Sequence, residues 1–218
     1  MRVRDFSCLI VCAFALSGCD YLWASHWNYR ITVAVETPEG VKTGSAVRQV
    51  TAYNPMAFNP DVPAIKFRVS GEAVVVDLGE RGVLFSLVDW NSYKEFFTAF
   101  PSSENDLEKQ VEFYNRLKVG EKAELPAHTY GFVAFADIND PTTVMSVSKD
   151  SMKDVFGEGV SIKAITIERT NDPVTWGRVD AFLPKTFNTV IKEGWRHLSQ
   201  DDKKRLISLT TFKVGEQQ

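Results

Sequence analysis

All three cysteines of this 218-residue chain, Cys8, Cys12 and Cys19, fall at its very beginning. Nothing after Cys19 can form a disulfide, act as a thiol nucleophile or offer a thiolate to a metal. The body must be held together by packing alone. Its length suffices to bury a real core in one domain, or at most two small ones.

The residues around those cysteines are laid out as a leader. Arg2 and Arg4 form a short basic head, Phe6 to Leu16 is an apolar run, and small residues lead into Cys19. The run is too short to cross a bilayer as a permanent helix and has the layout of a secretory signal. The tetrapeptide Leu16-Ser17-Gly18-Cys19 resembles the bacterial lipobox. That resemblance implies cleavage before Cys19, which is acylated on sulfur and becomes the mature N-terminus, a membrane anchor. In the lipoproteins it resembles, an Asp after the lipidated cysteine favours retention at the inner membrane, so Asp20 points to its periplasmic face. The expected organisation is a signal peptide over 1–18, a lipidated tether over 19–28 and a single α+β domain over 29–218.

Loss of the leader takes the net charge from −3 to −4, because Arg2, Arg4 and Asp5 leave together. A mildly acidic body argues against nucleic acid as a partner. It also leaves the acyl chains as the anchor, since the net charge would not adhere to anionic lipid. No later apolar run reaches the length of a second membrane span. In the tether, Tyr21, Leu22, Trp23 and Trp27 suit either the membrane interface or packing beneath the first strand, and both readings stand.

From Tyr29 the pattern is β. Tyr29, Ile31, Val33 and Val35 alternate with Arg30, Thr32, Ala34 and Glu36, as in a half-buried strand. Thr37-Pro38-Glu39-Gly40 supplies a turn, and 45–53 reads as the return strand. Asn54 to Pro63 carries three prolines and reads as a loop. Strands are expected over 64–69, 73–78, 83–88, about 130–136 and 161–168. Leu107, Val111, Tyr114 and Leu117 recur at helical spacing, with Ser103 and Asp106 as a capping box. Ser151 to Phe156 reads as a short helix stopped by Gly157. Phe187, Val190, Ile191, Trp195 and Leu198 describe an amphipathic helix, and a last short one follows to about Leu209. Strands first, with helices inserted and late, predict an α+β domain.

Several phrases resemble an uncharacterised family of proteobacterial proteins. They are Thr37-Pro38-Glu39-Gly40-Val41 with Gly44-Ser45, Gly71-Glu72-Ala73-Val74, Phe135 to Pro141, Ile165-Thr166-Ile167-Glu168, and Thr170 to Gly177. The resemblance covers most of 29–177 and implies kinship without an activity.

Candidates for chemistry are few. Asn139-Asp140-Pro141-Thr142-Thr143 and Asn171-Asp172-Pro173-Val174-Thr175 share the pattern N-D-P-x-T. With Asp137 they form oxygen-rich loops that could hold Ca²⁺, but their spacing fails that of an EF-hand, and Asx-Pro pairs close turns. His26, His128 and His197 have no partner at metal-ligand spacing, so no metal or cofactor is expected. Asp77, Glu80, Asp89 and Asp137 could form an acid/base pair if the fold brings two together. Asp89-Trp90-Asn91 marks a change from strand to helix. Met56 and Phe58, between Pro55 and Pro60, suit an apolar knuckle for a protein partner or a lid on the core. The expectation is a lipid-anchored binding or scaffolding module for another envelope protein. A carboxylate-based hydrolase and a small-molecule or lipid carrier are the alternatives.

Overall fold

The computed structural model describes residues 21–55, 65–89, 91–126, 131–140, 143–184 and 212–215. Strand β1, Tyr21–Glu36, and strand β2, Lys42–Pro55, form a long antiparallel hairpin. The alternation in β1 is a burial pattern: Trp27, Tyr29, Ile31, Val33 and Val35 are all buried, and the residues between them are half-buried. The hairpin closes at Thr37–Gly40. There Gly40 N donates to Thr37 O at 2.9 Å and the Thr37 hydroxyl donates to Gly40 O at 2.7 Å.

The strand starts eight residues earlier than the alternation predicts, so residues 21–28 are sheet and not a free tether. Trp27 explains this. It stacks on Tyr114, with ring centroids 5.5 Å apart, and lies 5.9 Å from Phe96, so of the two readings open for it packing holds. Ser25 hides the continuation in sequence, because it is a polar residue on an inward register. There it and Asn115 exchange hydrogen bonds of 2.9 and 3.1 Å.

Strands β3 (Lys66–Glu72), β4 (Val74–Asp77) and β5 (Val83–Ser86) follow, with a 3-10 turn over Gly79–Arg81. Helix α1 is Tyr93–Ala99 and helix α2 is Leu107–Arg116. Asp106 itself is the N-cap of α2 and accepts from Lys109 N at 3.0 Å, in place of a box built with Ser103. Then come β6 (Lys122–Glu124), β7 (Phe132–Phe135), β8 (Val144–Val147), α3 (Met152–Phe156), β9 (Ser161–Thr170) and β10 (Lys213–Val214). The expected helices over 186–209 lie outside the described residues.

The strands form two antiparallel sheets. One has six strands in the order β10-β3-β2-β1-β9-β6, the other four in the order β4-β5-β7-β8. With three α-helices among the described residues, the structure is mostly β and consistent with an α+β class. The main core lies between the inner face of the large sheet, the small sheet and the helices. A second core covers the other face of the small sheet, where Ala73, Val75, Phe85 and Val133 meet Val179, Leu183 and Phe212. Val74 and Val76 point to the first core and Val75 to the second. Burial on both faces is why Val74-Val75-Val76 is an unbroken apolar run rather than an alternating one.

The two sheets approach closely at Gly44 on β2. A Cβ there would sit 2.0 Å from Val75 O on β4, so only glycine allows this approach.

Candidate functional site

The groups with the most perturbed chemistry lie where the two sheets meet. Arg48 occupies an inward register of β2, between Ala46 and Val50, and is fully buried. Gly71 leaves room for it. Its φ is +144°, and a Cβ on it would stand 2.9 Å from Arg48 Cγ.

The guanidinium distributes its donors over three elements. Nε donates to Glu72 O at 3.1 Å, at the end of β3. Nη1 donates to Glu95 Oε2 at 2.7 Å, on α1. Nη2 donates to Ser86 O at 3.3 Å and Leu87 O at 3.2 Å, at the end of β5. From β1, the Tyr29 hydroxyl donates to Glu95 Oε2 at 3.3 Å and lies as far from Ser92 O. Burial raises the Glu95 carboxyl above its usual range while Arg48 opposes the shift. Burial, with the Glu95 charge beside it, carries the Tyr29 hydroxyl well above its ordinary value.

The Glu72 side chain continues the network toward the second core. It is buried, and its two oxygens accept from Arg178 N at 2.9 Å and Val179 N at 3.3 Å. Burial raises this carboxyl too, and those two N–H groups oppose it. Arg48 and Glu72 thus join both sheets, α1 and the segment entering the 3-10 turn Val179–Ala181. The Arg48–Glu95 pair is almost closed to solvent, with side-chain exposures of 0% for Arg48 and 11% for Glu95. Its chemistry is that of a structural tie, since a substrate would have to open the core to reach it.

The expected site residues are dispersed. Asp77, Asp89 and Asp137 are exposed, and each accepts from the backbone N–H two residues on: Gly79 at 2.9 Å, Asn91 at 2.8 Å and Asn139 at 2.9 Å. All three serve as local turn closers. Glu80 is exposed in the 3-10 turn, and His26 is exposed on β1. Among the described residues no three of His, Cys, Asp and Glu gather as a metal set. Cys19, Met56, Phe58, Trp90, His128 and His197 lie outside the described residues.

The two N-D-P-x-T loops also spend their oxygens on the protein. Thr143 Oγ1 donates within reach of Asp140 O at 2.7 Å and accepts from Asp137 N at 3.0 Å. In the second loop Asp172 pairs with Arg30, and its carbonyl accepts from Asn28 Nδ2 at 2.7 Å. Thr175 is pinned twice to Val47 of β2, through its hydroxyl at 2.8 Å and its backbone N–H at 3.0 Å. These are fastenings of one segment to another.

Sequence reading missed Arg48, Glu72 and Glu95. The signal was there for Arg48: Ala46, Val50 and Ala52 share its parity along β2, which makes it a charge on an apolar face. Compared with family models, curated proteins and solved structures, the chain matches none of them.

Proposed function

We propose that this chain is a membrane-anchored lipoprotein of the bacterial envelope, acylated at Cys19, whose body is a binding or scaffolding module for another envelope protein. The observation that carries the reading is the leader itself: Arg2 and Arg4, the Phe6–Leu16 run and Leu16-Ser17-Gly18-Cys19 stand in the order a lipobox requires. Asp20 directs the protein to the periplasmic face of the inner membrane. The body is one α+β domain with helices in its C-terminal part, over 186–209.

The binding role draws on how the polar residues are used. Asp77, Asp89 and Asp137 close turns, and Arg48, Glu72 and Glu95 tie the core, so these polar groups serve the framework, which suits a module that presents a surface. Confinement at the bilayer raises the effective concentration of a neighbouring envelope protein, so a weak contact is populated. Met56 and Phe58 are the residues assigned to that contact.

Intact mass spectrometry of the membrane fraction tests the anchor. The expected species is a chain beginning at Cys19 with a diacyl or triacyl adduct. A soluble, unmodified chain of full length would overturn the reading.

A further inference from the structure

We propose that β8 is the edge by which two copies of this chain pair, strand against antiparallel strand, joining the four-stranded sheet of one copy to that of the other. Among the described residues β8 ends that sheet, in the order β4-β5-β7-β8. The ladder shows which of its backbone groups are left over. Ala136 N donates to Thr143 O at 3.2 Å, so Thr143, Met145 and Val147 turn their N–H and C=O toward β7, and the residues between them turn theirs outward. On the other side of β7, Leu87 N donates to Gly131 O at 3.0 Å, which sets Gly131, Val133 and Phe135 toward β5 and agrees with that alternation. Val144 and Ser146 therefore hold out two N–H and two C=O groups along an open edge.

The other edges are blunted, and β8 is not. β10 has two residues, and β6 has three, with Lys122 and Glu124 at its ends. The stretch of β9 beyond β6 carries a bulge at Lys163, whose ammonium pairs with Glu36 at 2.8 Å. The free side of β4 is met by Gly44 of β2 at Val75 O. Short length, charge, bulges and cover are the usual guards against edge pairing. β8, Val144-Met145-Ser146-Val147, has no charge, proline or glycine and no break in its register with β7. Val144 and Met145 are half-buried, one against each core, so a further strand would finish burying them.

This edge is complementary to itself. With a twofold axis at Met145, Val144 comes opposite Ser146 of the second copy, and Ser146 opposite its Val144. All the outward N–H and C=O groups of the two strands are then used in hydrogen bonds. No like charges oppose each other across the axis, since residues 143–148 contain none. A second copy supplies a strand of matching length, polarity and side chains by symmetry. The pairing goes beyond the binding reading and needs no acyl chain. Where Cys19 is acylated, both copies lie in one leaflet, and confinement populates so small a contact.

The test uses the full-length chain made with its leader, oxidised in intact membranes and run on gels without reductant. In such a pair the two Met145 Cα atoms stand about 4.5 Å apart, a distance a disulfide spans. Met145→Cys should therefore crosslink into a band of twice the chain mass. The parent chain sets the background from Cys8, Cys12 and Cys19, and Val41→Cys, at an exposed position beside the hairpin turn, sets the level of chance collision. Ser146→Pro takes away an outward N–H that β7 does not use. Ser146→Lys, at an exposed position, sets two like charges about 7–8 Å apart on the diagonal. Added to Met145→Cys, the first should abolish the band and the second weaken it, in protein whose urea midpoint shows it folded. A band no stronger than that of Val41→Cys overturns the pairing, and so does one that survives both Ser146 variants unchanged. A band of another mass identifies a different occupant of the edge and overturns the second copy. Intact mass of the uncrosslinked chain reads the acyl adduct separately, so the lipoprotein reading stands or falls without deciding the pairing.

Discussion

Arg48 of β2 reaches Glu95 of α1 across the meeting of the two sheets, Nη1 to Oε2 at 2.7 Å, with the guanidinium closed off from water. With so little solvent to fall back on, Arg48 depends on Glu95 and on the carbonyls of Glu72, Ser86 and Leu87, and Glu95 depends on Arg48 and the Tyr29 hydroxyl. A pair of this kind adds little over a well-packed apolar replacement, yet removing one partner strands the other. Arg48→Met is expected to destabilise the fold by about 3–5 kcal/mol, and Glu95→Leu by a similar amount. The double variant should lose clearly less than the sum, with a coupling of about 0.5–3 kcal/mol read from urea unfolding. Strict additivity would show that the two side chains do not act as a unit.

Acid should separate two classes of carboxylate. Burial holds Glu72 above its ordinary value against the opposing Val179 and Arg178 N–H groups, so the folded state takes up the proton before the unfolded chain does. Stability linked to that proton is fully present below the unfolded pKa of about 4.3 and is lost as pH rises through the folded value. The gap in unfolding free energy between wild type and Glu72→Gln should therefore shift in favour of wild type as the pH falls from about 7 to about 4.5. Glu39 behaves oppositely. Its hydrogen bond from Arg81 lowers it to about 2, so its contribution is present above the unfolded pKa and disappears as the pH falls to the folded value of about 2. Glu39→Gln should trail wild type at neutral pH and match it in strong acid. Midpoints of urea unfolding between pH of about 7 and about 2 check both signs, and a Glu72 gap moving the other way would contradict the assignment.

What could be read from sequence was whatever one face or one turn decides locally. Tyr29 to Val35 alternate because one side of β1 meets the core and the other does not, and Gly157 ends α3 with φ +96° because the chain must turn there. In the small sheet β4, β5 and β7 fall within the expected spans 73–78, 83–88 and about 130–136, while β8, Val144–Val147, was not expected. The start of β1 was obscured by Ser25, whose partner Asn115 is ninety positions away. The tie at Arg48 is of the same kind. Its parity along β2 marks it as inward, but its partners come from β3, β5 and α1, and only the folded chain brings them together. Asp77, Asp89 and Asp137 were visible as carboxylates, and each closes a turn by accepting from the N–H two residues on.

Gly44 is expected to be among the least replaceable small residues of the hairpin. An added methyl would stand 2.0 Å from Val75 O and 3.1 Å from Val76 Cγ2, and neither backbone can retreat without separating the sheets. Gly44→Ala should cost about 1–3 kcal/mol from overpacking, despite the loss of unfolded-state entropy that makes such a change stabilising elsewhere. Gly131→Ala is the control. Its nearest neighbour is Leu87 Cδ1 at 4.0 Å, so stability there should change by less than about 0.5 kcal/mol. Equal thermal midpoints for the two variants would remove Gly44 from the account of how the sheets are held.

The partner contact can be tested apart from the anchor. Met56 and Phe58 come one and three residues after Pro55, the β2 residue that pairs with Tyr21. Anchoring at Cys19 confines the chain with other envelope proteins, and confinement strengthens weak contacts. The urea midpoint of Met56→Ser/Phe58→Ser first establishes that the double variant is folded. Crosslinking in intact membranes followed by pull-down is expected to recover a partner with wild type and to lose most of it with the variant, since apolar anchors of this size carry about 2 kcal/mol or more each in a contact. Recovery of the same partner in the same yield by the folded variant would show that the Met56–Phe58 segment is not the contact.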